Sequence, residues 1–442
     1  MNCLFSKLPL QLVLLMLLAF NTHQAFSTTL YLNKDCAAAG LTQNCYQTID
    51  EVQVKLWGKV TDFGLPFGDK LVIQPETINP NANNPVTVLI GEGTFSGQFS
   101  CSVMLGDENL GYVSFIGQGR DNTVLTHPYM VFHSAGCGNL MFQDLTMLNV
   151  GAAGTLAATT YFWGWGIGDT TWNNVKLESI NGIPWYEVSN FVSSGTNCKT
   201  APLPAYVLNA PRQNHYFFNS TIIGAKTPYI GACGQTWMYS SEIIMKTNPA
   251  TGLVSGFDDI LPIVLVYREG DVRLFGTSVR VDVSAGVPPE LRSVVGVHVG
   301  GAEFDGVFHM HGGDIDIDTS SIAGLNAVGI ENITTDAGSI AHTLNTPIFV
   351  KSAAGANSTR LKGVGKIFSP QLWSPDVEPP EHNVNTGNFA SLNGQDMFVE
   401  TDCGNSSCSN GGNKPHLMVY SDACNAETGQ PWFNNVTGEC RQ

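Results

Sequence analysis

Residues 113–125 read VSFIGQGRDNTVL, and they are the clearest local sign of how this chain folds. Two short β-prone runs, 113–116 and 123–125, flank a turn rich in glycine, and in the first run the apolar Val113 and Phe115 alternate with Ser114. Alternation with a period of two is typical of a β-strand that buries one face. Gly117 and Gly119 mark a turn and not a phosphate-binding loop, because no helical pattern follows them. This stretch therefore predicts a strand, a turn and a second strand.

Similar β-prone runs recur along the chain, closed by Gly, Asn or Pro, and their starts lie roughly 20 to 45 residues apart. Two of them, 142–147 and 218–223, share an aromatic residue, a small polar residue and then alternating apolar positions. A solenoid fits this spacing, because a single coil cannot bury its inward face alone. A β-sandwich, the alternative, would show tighter spacing of about 8–12 residues and more hairpin turns. We therefore predict an all-β chain that forms a right-handed parallel β-helix.

The ends of the chain differ from this pattern. Residues 46–57 have apolar side chains at helical spacing, which predicts a short N-terminal capping helix. We expect the β-helix domain to occupy residues 28–368. Residues 369–387 are proline-rich and predict an extended linker or arm. Residues 388–442 contain four cysteines and no long apolar run, which indicates a disulfide-held C-terminal appendage.

Residues 1–27 predict a secretory signal peptide. Lys7 precedes the almost wholly apolar run 8–20, and residues 25–27 form a small-x-small site for cleavage before Thr28. The apolar run is short for a membrane span, although an anchored N-terminal helix is the alternative. We predict a secreted protein, extracellular or, in a bacterium, periplasmic, with no transmembrane segment in the mature chain.

Cysteine usage agrees with export. Removing Cys3 with the predicted signal leaves ten cysteines, and five disulfides, each worth about 2–4 kcal/mol, are the simplest account. Zinc ligation is the alternative, but no Cys-x-x-Cys occurs. Spacing does not determine the pairing; we expect a Cys36–Cys45 bridge and two bridges near the C-terminus. The ten residues are Cys36, Cys45, Cys101, Cys137, Cys198, Cys233, Cys403, Cys408, Cys424 and Cys440.

The charge balance limits the classes of partner. Without the predicted signal, 20 basic residues face 37 acidic ones, a net charge of −17. This charge opposes binding to nucleic acid or to anionic membranes. It also disfavours a polyuronate ligand, unless calcium bridges the two. We therefore predict no nucleic-acid partner.

Several of these runs resemble the pectinesterases, within the pectin-lyase-like group of β-helix proteins. The 113–125 stretch is similar to that family's Ile-Gly-x-Gly-x-x-x-Thr-x-Ile coil. The resemblance covers about half of the chain and implies the β-helix fold. It is carried by CYQTIDEV (45–52), PVTVLIGEGTF (85–95), residues 113–125, FQDLTMLN (142–149) and YFFNSTIIG (216–224).

The residues that carry the chemistry of that family are not matched. The resemblance implies ester hydrolysis in which one Asp attacks, a second Asp passes protons and glutamines stabilise the oxyanion. Where the family has Asp-Phe-Ile-Phe-Gly, residues 227–231 read TPYIG, so Thr227 takes the place of the nucleophile. Where it has Gln-Asp-Thr-Leu-Tyr, residues 181–185 read NGIPW, without an acid. We transfer no catalytic residue and expect the scaffold without pectinesterase catalysis.

Large aromatic residues form the first candidate site. Trp163 and Trp165 alternate, so they share one face of a strand, and further rings follow in the next coils. Because the C–H faces of sugars pack on aromatic rings, such a set could bind a polysaccharide or a cell-surface glycan. The alternative is that these rings pack in the core or brace loops. The candidates are Trp163, Trp165, Trp172, Trp185, Tyr186, Trp237 and Tyr239.

The segment 309–318, HMHGGDIDID, is the second candidate site. Strand alternation puts its two histidines on one face, and then Asp314, Asp316 and Asp318 on one face. These carboxylates repel one another unless they are solvated or bind a hard cation such as calcium. Glycoside cleavage is another use, with Asp314, Asp316 and His309 as catalytic candidates. The alternative without function is a solvent-facing strand whose charges prevent unwanted pairing.

The sequence thus favours a secreted β-helix protein that contacts a glycan or cell surface without catalysis and has no cofactor, with calcium the one candidate ion. Two alternatives stay open: a polysaccharide esterase, lyase or hydrolase that uses a different carboxylate pair, and a structural or adhesive surface protein. An enzyme needs two acids facing one groove, whereas a binding protein needs exposed aromatic rings.

Overall fold

The structure is a computed structural model that describes residues 27–62, 70–102, 111–135, 137–152, 158–164, 169–189, 214–232, 234–253, 259–267, 269–300, 306–334, 339–363, 365–369, 397–400, 416–420, 432–434 and 439–440. Within these ranges lie one helix, α1 (Ile49–Trp57), and the strands β1 (Thr28–Leu32), β2 (Cys45–Tyr46), β3 (Lys59–Asp62), β4 (Lys70–Val72), β5 (Val86–Ile90), β6 (Gly93–Ser96), β7 (Phe99–Ser102), β8 (Gly111–Ile116), β9 (Thr123–His127), β10 (Phe132–Ala135), β11 (Gly138–Asn149), β12 (Ala158–Gly164), β13 (Asp169–Ser179), β14 (Ile183–Ser189), β15 (Asn214–Phe218), β16 (Thr221–Gly224), β17 (Tyr229–Ala232), β18 (Gln235–Tyr239), β19 (Glu242–Lys246), β20 (Ile260–Tyr267), β21 (Gly270–Asp282), β22 (Ser293–Val299), β23 (Gly306–Asp318), β24 (Asn326–Asn332), β25 (Ile340–Leu344), β26 (Ile348–Lys351), β27 (Ser358–Gly363), β28 (Lys366–Phe368), β29 (Met397–Glu400), β30 (His416–Tyr420), β31 (Trp432–Asn434) and β32 (Glu439–Cys440).

Successive coils of the chain stack by parallel strand pairing. β7, β10, β12, β14, β17, β20, β22, β24 and β27 form a nine-stranded sheet, here called sheet 1. A 17-stranded sheet, sheet 2, takes one strand or two consecutive strands from each coil. One coil, for example, runs from β17 through β18 and β19 and returns to sheet 1 at β20, which pairs with β17 in parallel. The predicted right-handed parallel β-helix is confirmed.

Sheet 2 has two parts, because each coil bends within it. Half 2a contains β5, β8, β15, β18 and β25, together with the first parts of the long strands β11, β13, β21 and β23. Half 2b contains β6, β9, β16, β19 and β26, together with the second parts of the same four long strands. In five coils the bend falls on one residue with positive φ: Asp144 at 54°, Asn174 at 54°, Asn219 at 48°, Ser240 at 48° and Gly276 at 57°. Asn and Asp tolerate this left-handed conformation better than most residues with a side chain.

A side-chain ladder connects three of these bends. Asn174 Nδ2 donates to Asp144 Oδ1 at 2.6 Å, and Asn219 Nδ2 donates to Asn174 Oδ1 at 3.3 Å. In the repeated sequence pattern the bend residue is thus Asp144, two residues after Phe142, or Asn219, directly after Phe218. The alternating apolar residues after it form the strand in half 2b.

The core inside the coils is a stack of aromatic rings. Phe115, Phe142, Trp172 and Phe217 follow one another on adjacent strands with centroid separations of 5.1, 4.1 and 5.7 Å and nearly parallel planes. None of the four side chains reaches solvent. Rings of this size bury about 150–250 Å² each, so this stack is a large part of the hydrophobic stabilisation.

The predicted capping helix covers the N-terminal end of this core. It begins with a capping box, in which the Thr48 side chain accepts from the Glu51 N–H and the Glu51 carboxylate accepts from the Thr48 N–H. Ile49, Val52 and Leu56, at the predicted helical spacing, are fully buried. α1 thus closes the open end of the stack.

Two disulfides lie within the described residues. Cys36–Cys45 confirms the expected pairing, and Cys101–Cys137 joins β7 to the start of β11. The bridges expected near the C-terminus fall outside the described residues, as do residues 1–26, Cys198 and Cys233.

β29 to β32, within the expected appendage, form a four-stranded antiparallel sheet. The proline-rich segment from 370 to 396 lies outside the described residues. Among those that are described, no helix has the length and hydrophobicity that a membrane crossing requires.

Candidate functional site

Two of the predicted sugar-binding rings lie in the core. Trp172 and Trp185 have no exposed surface. Trp172 stacks on Phe142 and Phe217, and the plane of Trp185 is perpendicular to that of Trp172 at a centroid distance of 5.4 Å. A ring that does not reach solvent cannot stack on a sugar, so the prediction is wrong for these two residues.

The other predicted rings have different surroundings. The backbone of Trp163 lies on β12 in sheet 1, but its side chain and the whole of Trp165 fall outside the described residues. Tyr186 is half-buried and packs against the buried Ile183, Ile230 and Leu265 on sheet 1. Trp237 lies on the outward face of half 2a, which makes it the one predicted tryptophan with a described, partly exposed ring.

Trp237 belongs to a group of five stacked rings on the outward face of half 2a, which we call the aromatic row. Tyr216 stacks on Trp237 with centroids 5.1 Å apart and planes 18° apart. Beside them, Phe218 stacks on Tyr239 at 5.2 Å, and Tyr239 stacks on Phe275 at 5.0 Å. Phe218 is 39% exposed and the other four rings are partly exposed. The row therefore presents aromatic rings to solvent across three coils.

Strand register positions these rings. On neighbouring parallel strands, Tyr216 pairs with Trp237, Phe218 pairs with Tyr239, and Tyr239 pairs with Phe275. Neighbouring strands lie about 4.8 Å apart, which is close to the thickness that two stacked rings require. The sequence prediction included Trp237 and Tyr239 but missed the other three rings. Aligning the coils on their bend residues would have found them, since the ring positions lie one and three residues before each bend.

Arg273 places a cation beside the aromatic row. Its Nε and Nη2 donate to the two carboxylate oxygens of Asp271 at 3.0 and 2.8 Å. Its guanidinium carbon lies 5.7 Å from the Trp237 ring centroid, within the range of a cation–π contact. The hydrogen bonds to Asp271 raise the pKa of Arg273, so the group stays charged at all ordinary pH values.

Three histidines continue the same face on the next coils, and we call them the histidine cluster. His309 on β23 pairs in register with His342 on β25, and His311 lies two residues after His309. One ring nitrogen from each lies within 4.8 Å of the other two, and the Nδ1 atoms of His309 and His342 are 3.4 Å apart. Among the described residues, this is the one group of three or more His, Cys, Asp or Glu side chains that converge in this way.

Burial lowers the pKa of two of these imidazoles, His309 and His342. Burial, and then the neighbouring His309 and His311, lower the pKa of His342 to about 4. Burial also lowers the pKa of His309, against the opposing effect of Asp271. At neutral pH both rings therefore offer nitrogen lone pairs and carry no charge.

The predicted catalytic set is not assembled. His309 lies on half 2a, whereas Asp314 and Asp316 lie on half 2b, beyond the bend at Gly312 and Gly313. The sequence placed them together because they are close along the chain, but the bend directs them to different faces.

The three aspartates face outward, and two of them, Asp314 and Asp318, are paired with cations. Asp314 accepts from Arg280 at 3.3 Å, and Asp318 lies 3.5 Å from Lys351 Nζ. Residues two apart on a strand are about 6.6–6.8 Å apart, so these carboxylates do not converge on one ion. The arrangement is that of a charged, solvent-facing strand. Calcium binding at Asp314, Asp316 and Asp318 remains a prediction, and this geometry gives it no support.

The positions that would carry pectinesterase chemistry lie side by side in sheet 1. β14 pairs with β17, Trp185 opposite Tyr229, and Thr227 just before β17 is fully buried. Glu187 is the one acid on these two strands, and it points into the β-helix, where Oε1 lies 3.3 Å from His215 Nε2. No described carboxylate on these strands faces outward.

Comparisons with known proteins do not assign this chain to a family. No protein-family model and no curated protein matches the sequence. Among solved structures, the pectin methylesterase from carrot is 10% identical, with 78% of this chain and 88% of that chain covered and a TM-score of 0.37. Pectin methylesterase PemA from Erwinia chrysanthemi is 10% identical, with 73% of this chain and 80% of that chain covered and a TM-score of 0.37. Escherichia coli ybhc is 12% identical, with 80% of this chain and 88% of that chain covered and a TM-score of 0.40. At these identities and TM-scores, nothing about the family or the activity of this chain follows from the likeness.

Proposed function

We propose that this protein is a secreted β-helix that binds a neutral polysaccharide or cell-surface glycan along the aromatic row, without pectinesterase catalysis. The observation that carries the proposal is the row itself, five stacked rings that face outward across three coils. Exposed aromatic side chains in a continuous array are uncommon on soluble proteins unless they contact a partner.

The chemistry of the row fits a sugar chain. The C–H groups on one face of a pyranose are apolar and pack on an aromatic ring, while the hydroxyl groups at its edge form hydrogen bonds. Arg273, whose side chain is 40% exposed, lies beside Trp237 and supplies a donor for such hydroxyl groups. A neutral glycan is favoured over a polyuronate because the whole chain carries a net charge of −16.

Two observations support the absence of pectinesterase catalysis. Thr227 takes the place of the family's nucleophile and is fully buried. A threonine hydroxyl without an adjacent base is a weak nucleophile. Glu187, the acid on the neighbouring strand, is also buried and is directed toward His215.

Export is supported by the disulfides of the described region. Cys36–Cys45 and Cys101–Cys137 are both formed, and such bonds persist in oxidising compartments. N-terminal sequencing of protein recovered from a secreting host checks this part of the proposal. Protein that stays in the cytoplasm with an intact residue 1 would contradict it.

The binding proposal is tested with the pair of substitutions Trp237→Ala and Tyr239→Ala. The purified protein is screened against diverse polysaccharides for both retention and released product. We expect retention of at least one neutral glycan without product, and a loss of about tenfold or more in affinity in the double variant, since each lost stacking contact is worth about 0.5–1.5 kcal/mol.

Tyr129→Ala is the matched control, because Tyr129 is 59% exposed and lies away from the row in sequence and register. Binding that survives in the double variant, or is lost equally in the control, would contradict the assignment to the row. Product released from any polysaccharide would favour the alternative of a carbohydrate-active enzyme.

A further inference from the structure

We propose that His309, His311 and His342 form a binding site for one divalent transition-metal ion, with zinc as the first candidate. The site lies on the outward face of half 2a, next to the aromatic row, where His309 pairs with Arg273 and His311 pairs with Phe275. It is independent of the proposed function: a protein that binds no glycan could still bind the metal, and the reverse also holds.

The separations of the nitrogens fit a metal centre. Two nitrogens bound to one tetrahedral zinc at about 2.0–2.1 Å lie about 3.4 Å from each other. The Nδ1 atoms of His309 and His342 are 3.4 Å apart. The third nitrogen, from His311, lies within 4.8 Å of both, so a small side-chain rotation completes the set.

The position of each ligand is fixed by the fold. His309 and His342 face each other on paired strands, and His311 follows on the same face of β23. The ring of His311 also packs against Phe275, with centroids 5.5 Å apart. Ligands on paired strands need little reorganisation to bind an ion, which lowers the entropic cost of binding.

Electrostatics permit a cation here although Arg273 pairs in register with His309. The Arg273 guanidinium is bound by both carboxylate oxygens of Asp271, which offsets its charge.

The ligand set selects the class of metal. Imidazole nitrogens suit zinc, copper, nickel and iron, whereas calcium and magnesium prefer oxygen ligands. Three protein ligands leave a fourth position for water or for a group of a bound molecule. The site therefore differs in place and in chemistry from the calcium site considered at the aspartates.

The competing explanation is a hydrogen bond between His309 and His342, in which one Nδ1 donates to the other. That bond would explain the 3.4 Å contact of these two rings without any ion. It does not account for the approach of His311 to the same point. The two explanations differ in one measurable property, which is saturable binding of a metal that requires all three residues.

The experiment uses the mature protein with a purification tag free of histidine, treated with EDTA and then desalted. Zinc chloride is titrated by calorimetry, and the bound metal is counted by mass spectrometry after dialysis. We expect one zinc per chain, a higher melting temperature with zinc than with EDTA, and no comparable effect of calcium chloride. His309→Gln, His311→Gln and His342→Gln should each weaken binding at least about tenfold.

His127→Gln is the matched control, a partly buried histidine on β9 in a different coil, and it should bind zinc as the unmodified chain does. Circular dichroism in EDTA identifies any variant that fails to fold. Cobalt binding to the unmodified chain needs no variant and should give the visible absorption of a site with fewer than six ligands. Absence of saturable zinc binding by the folded chain, or binding unchanged when all three histidines are replaced, would overturn the proposal.

Discussion

At the scale of single residues, the bend positions of sheet 2 explain which small residues the chain uses and where. Asn174 and Asn219 adopt the left-handed conformation and pass a hydrogen bond along the stack. Gly276 occupies the same place in a later coil, with φ of 57° and open space around the position of a Cβ atom. Asparagine therefore meets both requirements of this site, the backbone conformation and the available space.

We expect Gly276→Asn to be tolerated, with a change within about 0.5 kcal/mol, because the reduced freedom of the unfolded chain offsets the cost of the left-handed conformation. Gly276→Val should destabilise the protein by about 1–2 kcal/mol, since a β-branched residue is strained there. Urea denaturation of both variants measures the difference. An equal loss for Asn and Val would mean that the bend conformation does not limit this position.

At the scale of strands, the sequence predicted that successive side chains alternate between the two faces of a strand, but not which face is buried. Trp172 and Trp237 occupy similar strand patterns, yet Trp172 is buried and Trp237 faces outward. Trp172 lies two residues before its bend at Asn174, whereas Trp237 lies three residues before Ser240. A shift of one residue exchanges the two faces of a strand. Burial could be assigned only once the bend residue of each coil was known.

The same reasoning explains which members of the histidine cluster the sequence placed together and which one it missed. His309 and His311 share a face by simple alternation, so the sequence placed them together correctly. His342 is 33 residues from His309 and joins them through the register of β23 and β25. Register between coils depends on loop lengths that vary along the chain. No local pattern therefore indicated the third histidine.

Paired strands of sheet 1 also hold a charged cluster whose stability depends on pH. Glu331 on β24 accepts from His298 Nδ1 at 3.0 Å and from Lys362 Nζ at 2.7 Å, from the strands on either side. Burial by itself would raise the pKa of Glu331, but these two hydrogen bonds outweigh it and hold the pKa below 4.5. The folded protein therefore resists protonation of Glu331 more than the unfolded chain does.

Because the unfolded chain binds this proton first, the contribution of Glu331 is present above about pH 4.5 and is lost as the pH falls through the lower folded pKa. We expect Glu331→Gln to lose about 1–3 kcal/mol at pH 7 and to show a weaker further loss on acidification. Urea denaturation at several pH values tests this. Glu242→Gln, at a half-exposed pair with Arg280, is the control and should change stability by less than about 1 kcal/mol. Identical acid sensitivity of the chain with and without Glu331 would contradict the assignment.

At the scale of the whole molecule, a β-helix is stable only if the ends of its stack are covered. Each coil between the ends has neighbours on both sides, but the first coil would expose the aromatic core. Trp57, at the end of α1, is 2% exposed and contacts Phe115 and Phe132 with centroids 6.2 and 6.5 Å away. The helix predicted from the sequence thus has a defined role, which is to close the N-terminal end of the core.

We expect Trp57→Ala to destabilise the protein by about 3–5 kcal/mol, because it opens a cavity between the cap and the first rings of the stack. Trp57→Phe keeps an aromatic ring and is the control, with a smaller loss. An uncovered end also exposes unpaired strand edges, so the Ala variant should self-associate. Melting temperature and size-exclusion chromatography measure the two effects. If Trp57→Ala stays monomeric and melts with the unmodified chain, the stack does not depend on α1 for its closure, and another part of the molecule must cover that end.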